Sequence, residues 1–229
     1  MANKNNYKEE PIEEVENALS RTELFIEENQ KSLIIIISAI IILVGGYLGY
    51  KKFIVAPKEK EALSQMFVAE QYFEKDDYKE ALNGDGNYLG FKDIIDEYGI
   101  TKAAKLAQYY SGICCLHLGQ YQEAIDHLKK FETKDKMLGP IALGAMGDAY
   151  VELGNLDKAV QFYERAASKN ENDFTAPIYL MKAGQVFEEM GKYDKALEMY
   201  QKIDYRYPKT MEGRQVEKYI TRAKLKSGK

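Results

Sequence analysis

The 229-residue chain has no tryptophan, two histidines and two cysteines, and each scarcity closes a class of function. His117 and His127 are too few for most metal centres or imidazole-based triads. Cys114 and Cys115 are adjacent, so they support no disulfide framework, and a bridge between sequence neighbours is strained. They read as two small buried apolar side chains on a helix. His117 lies one turn from Cys114, but no third or fourth ligand completes a zinc site. No serine sits in a nucleophile elbow and no Gly-Lys-Ser/Thr phosphate loop occurs. Charge of one sign is also lacking: the net charge is −4, and basic residues interleave with acids, which leaves no footprint for nucleic acid. These scarcities predict a chain that is not an enzyme and has no cofactor or metal.

A long hydrophobic run is present. The nineteen residues from Ser32 to Tyr50 carry no charge, and eleven of Leu33–Tyr50 are Leu, Ile or Val. Eighteen residues make a helix of roughly 27 Å, close to the thickness of a bilayer's hydrocarbon core. At about −0.3 to −0.6 kcal/mol each, those side chains favour insertion by roughly 5 kcal/mol. Ile34–Ile37 and Ile40–Ile42 point around the whole circumference, so no face is left for a soluble core. Tyr47 and Tyr50, then Lys51 and Lys52, suit an aromatic belt and charged stop. The segment before the run is long and acidic, unlike the short basic start of a cleaved signal peptide. The pattern predicts one transmembrane helix at 32–50, after an acidic tail (1–31) and before a short linker (51–60). In the tail, Ile12, Val15, Leu19, Thr22 and Ile26 recur at intervals of three and four among glutamates. That is an acidic amphipathic helix, either a solvated stalk or a docking helix.

The remainder, 61–229, is periodic. Gly112, Gly147 and Gly184 lie 35 and 37 residues apart, as do Gly119, Gly154, Gly191 and Ala124, Ala159, Ala196. Three small-residue positions keeping one register predict hairpins of two helices. Gly112, Gly147 and Gly184 would allow close approach, beside Leu128, Tyr163 and Tyr200, and Gly119, Gly154 and Gly191 would end the first helix in a left-handed cap. The period and these words resemble the tetratricopeptide repeat. That family's signature tryptophan is replaced here by Gln108, Leu143 and Leu180. We place repeats at about 105–139, 140–176 and 177–210, the last closed by Pro208. Val216, Ile220 and Ala223 mark a capping helix at 211–224. A degenerate repeat, 61–104, fits if Ala69 stands for the small residue, with an insertion at 83–90. That insertion fails the calcium-loop pattern and reads as a loop between helices. The expected fold is an all-α tetratricopeptide-repeat superhelix behind a tail helix and a transmembrane helix.

In such repeats the first helices line a concave groove. Counting from the aligned glycines places Met66, Phe73, Tyr109, Ile113, Leu116, Asp148, Val151, Glu152, Met181, Gln185 and Glu188 there. Tyr109 and Ile113 stand where the carboxylate-clamp receptors of this family have Lys and Asn, so clamping of peptide C-termini is not expected. An apolar groove with an acidic rim suits a hydrophobic, basic segment. The alternative is that some of these apolar groups pack against the preceding insertion or the capping helix.

The order of acidic tail, single span and array opening at Glu61-Ala62-Leu63 is similar to the YfgM-type ancillary subunits of the bacterial Sec translocon, in their longer-tailed Bacteroidetes-like form. So are Gly90-Phe91-Lys92-Asp93-Ile94-Ile95, Thr101-Lys102-Ala103-Ala104-Lys105-Leu106-Ala107 and Tyr110-Ser111-Gly112. The resemblance implies an inner-membrane protein with cytoplasmic N-terminus and periplasmic repeats. It also implies work beside Sec translocon subunits and a PpiD-like membrane-anchored prolyl isomerase, with unfolded or emerging chains as clients. Against that topology, Lys51, Lys52, Lys58 and Lys60 outnumber Arg21 and Lys31, which by the positive-inside rule favours a cytoplasmic array. A cytosol-facing adaptor or targeting receptor therefore stands as the alternative.

Overall fold

The computed structural model describes residues 10–228, with side chains from Glu23 onward. Every regular element among the described residues is helical. The chain divides into two compact units, residues 1–57 and 58–229.

The first unit is dominated by α1, Glu10–Tyr50. Tail and apolar run form one helix rather than two, because no glycine or proline interrupts the sequence between Ile12 and Val44. The apolar residues are bare: Ile42 is 72% and Leu43 73% exposed. Among the described residues this stretch supplies the one helix long and apolar enough to cross a membrane. The amphipathic face read at Ile12, Val15, Leu19 and Thr22 lies outside the residues with described side chains. The stretch 51–60, read as a linker, is helical instead. Lys51–Val55 form a π-helical turn in which the Ala56 N–H donates to the Lys51 carbonyl. The turn lies just before Pro57, which lacks the N–H for an ordinary helical bond.

Helix α2 (Ala56–Glu74), all but its first two residues in the second unit, is followed by α3 (Tyr78–Asn83) and α4 (Phe91–Glu97). The insertion splits what would be one second helix into α3 and α4. It closes on itself through two glycines: Gly84 has φ +76°, and a Cβ on Gly90 would lie 2.2 Å from the Gly84 nitrogen. Asp85 fixes the loop by accepting from the Asn87 and Tyr88 N–H groups and the Tyr72 hydroxyl, each at 2.8 Å. Those bonds hold its carboxyl below the usual range, the backbone bonds being the larger cause.

Three hairpins follow: α5 (Lys102–His117) with α6 (Tyr121–Lys130), α7 (Leu138–Glu152) with α8 (Leu156–Lys169), and α9 (Ala176–Glu189) with α10 (Tyr193–Arg206). The aligned glycines make the expected close crossings. A Cβ on Gly112, Gly147 or Gly184 would lie 2.5, 2.5 or 2.3 Å from Leu128, Tyr163 or Tyr200 respectively. Gly119, Gly154 and Gly191 have φ of 75°, 70° and 71°, the left-handed cap that a Cβ disfavours. Ala124, Ala159 and Ala196 are fully buried. Helices α11 (Met211–Gln215) and α12 (Glu217–Ser227) close the array, with Val216 and Ala223 buried against it.

Candidate partner-binding surfaces

Apolar side chains on the first helices of this array are mostly turned half inward. Tyr109, Ile113, Leu116, Val151 and Met181 are all partly buried and pack on the core cluster that runs from Ile125 to Ala223. Tyr109 lies between Tyr110 and Phe131, with ring centroids at 5.6 and 5.2 Å. It is half-buried and so partly committed to packing. Ile113 and Leu116 continue the same face along α5, and Gln185 and Glu152 are exposed.

Two sequence-predicted groove residues are misplaced. Met66 is 1% exposed, inside the cluster of Ala62, Ala69, Leu82 and Phe91, and so meets no partner. Phe73 packs edge-on against Tyr78 at 5.7 Å, Phe91 at 6.3 Å and Tyr110 at 4.9 Å. The reason is local. Ala62, Met66, Ala69 and Phe73 recur at intervals of four, three and four, which is the buried stripe of α2. Carrying the repeat register back across the insertion turned that stripe outward.

The polar residues of this face are bonded to one another. Asp148 Oδ1 accepts from the Tyr163 hydroxyl and from Lys182 Nζ, both at 2.6 Å. The Lys182 ammonium also lies 5.7 Å above the Tyr163 ring. Burial, then the Asp148 charge, pushes the Tyr163 hydroxyl far above its ordinary pKa. Glu188 holds both nitrogens of a guanidinium fork, with Arg222 Nε at 3.1 Å. The Tyr121 hydroxyl bonds to Glu152, which raises its pKa. The acidic rim read from the sequence is thus largely engaged.

Several partners escaped the sequence reading. Tyr179 lies across Gly144, where a Cβ would come within 1.9 Å of its ring, and it stacks on Tyr163 at 6.3 Å. Four ion pairs join residues 34 or 35 apart: Asp148–Lys182, Asp157–Lys192, Glu171–Arg206 and Glu188–Arg222. Opposite charges one repeat period apart were the available signal. The residues weighed for metal binding part company: Cys114 is buried, whereas His117 is exposed and stacked on Tyr78 at 4.2 Å. Burial raises the Cys114 and Cys115 thiols to about 12 and about 11, which disfavours the thiolate that a metal needs.

Stacked helical hairpins, a glycine at each crossing, a left-handed cap after each first helix and ion pairs at the repeat period define one unit used repeatedly. Family patterns for the tetratricopeptide repeat match residues 140–173 and 179–210. Those two segments carry the tetratricopeptide-repeat pattern. The Arabidopsis thaliana protein FLUORESCENT IN BLUE LIGHT, chloroplastic, is 28% identical over 139 residues, covering 57% of this chain and 42% of that protein. The chain therefore spans less than half the length of that curated relative. The crystal structure of MamA protein superposes with a TM-score of 0.57 at 21% identity, over 73% of this chain and 82% of that one. Nearly identical TPR-like repeats from Podospora anserina give 0.56 at 14% identity, over 74% and 88%. At these identities the structures speak for the fold: an all-α, tetratricopeptide-repeat-like superhelix. Repeats of this family serve characteristically as protein-interaction scaffolds.

Proposed function

We propose that this chain is a non-enzymatic, membrane-anchored tetratricopeptide-repeat scaffold of the bacterial inner membrane. In this reading it associates with the Sec translocon, with its repeats in the periplasm. The observation that carries the anchoring is the bareness of α1: none of the apolar window is buried, beside a repeat unit with a core of its own. Exposing so many isoleucines to water would forfeit about 25 cal/mol for each Å². A bilayer removes that penalty. The likeness to YfgM-type subunits supplies the remainder: Sec translocon subunits and a PpiD-like isomerase as partners, and emerging polypeptides as clients in a chaperone-like role. The proposed contact surface is the first-helix face, through Tyr109, Ile113, Leu116, Asp148, Val151, Glu152, Met181, Gln185 and Glu188. Met66 is withdrawn from it, and Phe73 contributes packing.

A second reading, a cytosol-facing adaptor, draws on Lys51, Lys52, Lys58 and Lys60 just beyond the apolar run. One experiment separates the two. A C-terminal alkaline phosphatase fusion in a bacterial host is expected to be active, and mild-detergent pull-downs should recover translocon subunits. Activity confined to a cytoplasm-only reporter would sink the export reading and promote the adaptor.

A further inference from the structure

A concentration of unpaired positive charge in the repeat unit lies away from the first-helix face. A cleft of about 630 Å³ is lined by α6, α7, α8 and the loop 131–137, with Lys105 at one margin. The apolar part of its floor is presented by Phe131 and Phe162, both half-buried, over the buried side chains of Leu128, Leu143 and Met146. Its rim carries Lys105, Lys129, Lys134, Arg165 and Lys169 against one acid, Glu132. None of those five cations belongs to an ion pair among the described residues. On the opposite sign, Asp148 and Glu188 are both engaged.

The rim is held in shape. The Arg165 guanidinium lies 4.9 Å above the Phe162 ring. The Lys169 stem passes over Gly139, where a Cβ would lie 2.9 Å from its Cε. Asn170 Nδ2 donates to the Lys136 carbonyl at 3.0 Å and so ties the loop to the end of α8. The nearest helix N-terminus, that of α7, is closed to an incoming anion. Asp135 Oδ1 already accepts from the Met137 and Leu138 N–H groups at 2.8 Å.

We infer that this second-helix cleft docks an acidic peptide segment whose apolar side chains enter the floor while its carboxylates meet the rim. Charge complementarity selects the acid and the apolar floor selects a peptide. The cations come from four different elements, α5, α6, the loop and α8, and so follow an extended ligand instead of converging on one phosphate. With the α7 amides taken by Asp135, a free phosphate finds no backbone donors there. A cleft of this size lies within the range of ligand-binding pockets.

The test uses the full chain in detergent micelles and a fluorescent octapeptide in which glutamates alternate with leucine and phenylalanine, read by anisotropy. The expected result is saturable binding that weakens with salt and falls about tenfold or more when Lys129→Glu, Lys134→Glu and Lys169→Glu are combined. These side chains are exposed, so circular dichroism should stay native. Serine in place of leucine and phenylalanine should also weaken binding, because the floor then has nothing to cover. Glu189→Gln, an exposed residue of α9 outside both proposed surfaces, should leave the octapeptide affinity unchanged, which keeps this inference separable from the proposed function. Unchanged affinity in the triple variant overturns it. So does equal affinity for the serine peptide, which would reduce the rim to a general anion attractor. Loss of binding to phosphatidylglycerol vesicles with peptide affinity intact would overturn it too, in favour of a membrane contact.

Discussion

The two faces of the repeat array use charge differently. On the first-helix face Asp148 and Glu188 are bound to Lys182 and Arg222, one repeat onward, and Glu152 holds the Tyr121 hydroxyl. On the second-helix face Lys129, Lys134 and Lys169 border a cleft, with Lys105 of α5 at its margin, and form no ion pair among the described residues. One set of charges ties repeat to repeat and the other is available to a ligand. The difference shows why counting charges along a helix misleads in a repeat protein. A side chain reaches its neighbour one period on, so its availability depends on what stands 34 or 35 residues away. Exposed pairs of this kind are individually weak, about 0–1 kcal/mol, but they are repeated along the array.

The comparison breaks most forcefully at the hairpin crossings. Gly147 is buried, with the Tyr163 ring where its Cβ would be. Gly147→Leu should lower stability by about 1–3 kcal/mol through overpacking, read as a drop in the thermal midpoint. Lys169→Ala, on the rim of the second-helix cleft, should stay within about 0.5 kcal/mol of the parent. Equal effects would mean that the first-helix face is no more committed to packing than the second.

The hairpin register was legible because the crossing glycines, cap glycines and alanines all lie within one repeat and repeat together. Tyr179 over Gly144 was not, since that contact joins two repeats and only one glycine, in the middle of a helix, signals it. Met66 was misassigned by trusting the long-range register over the nearer stripe Ala62–Met66–Ala69. The stretch 51–60 reads as a linker from its place between the apolar run and the array, yet it is helical. Lys and Glu are good helix formers, and a dense run of them gives the chain no reason to leave the helix. Of the candidate site, the face could be read but its occupancy could not. Whether Asp148 is free depends on Lys182 and Tyr163, which reach it from other helices.

A middle-sized effect sharpens the account of that face. Asp148→Ala removes the acceptor of the Tyr163 hydroxyl, which belongs to a buried residue, as well as the Lys182 partner. A lost hydrogen bond to a charged group costs about 1.5–3 kcal/mol. Lys182→Ala, which removes a half-exposed ammonium alone, should cost about 0.2–1 kcal/mol. Chemical denaturation of both single variants and the double gives the coupling. If the two single variants lost the same amount, Tyr163 would not depend on Asp148 and the face would be less tightly tied than its geometry indicates.

The smallest effect concerns the one histidine that the array buries in part. His127, on α6, has Nδ1 at 2.7 Å from Gln108 Oε1, a carbonyl that accepts the proton of the neutral ring. Burial lowers its pKa, and Lys130 and Lys92 lower it further, against Glu123 and Asp126. Between the lowered value and the free value of about 6.5 the unfolded chain binds more protons than the folded one, so stability rises with pH there. The His127 contribution is complete above about pH 6.5 and is lost as pH falls below it. The thermal midpoint of the full chain should therefore decline from neutral pH toward pH 5, by an amount worth less than about 1 kcal/mol. His127→Gln should flatten that part of the curve, because Gln keeps a donor toward Gln108 and carries no proton to gain. A slope unchanged in His127→Gln would assign it to carboxylates elsewhere in the array.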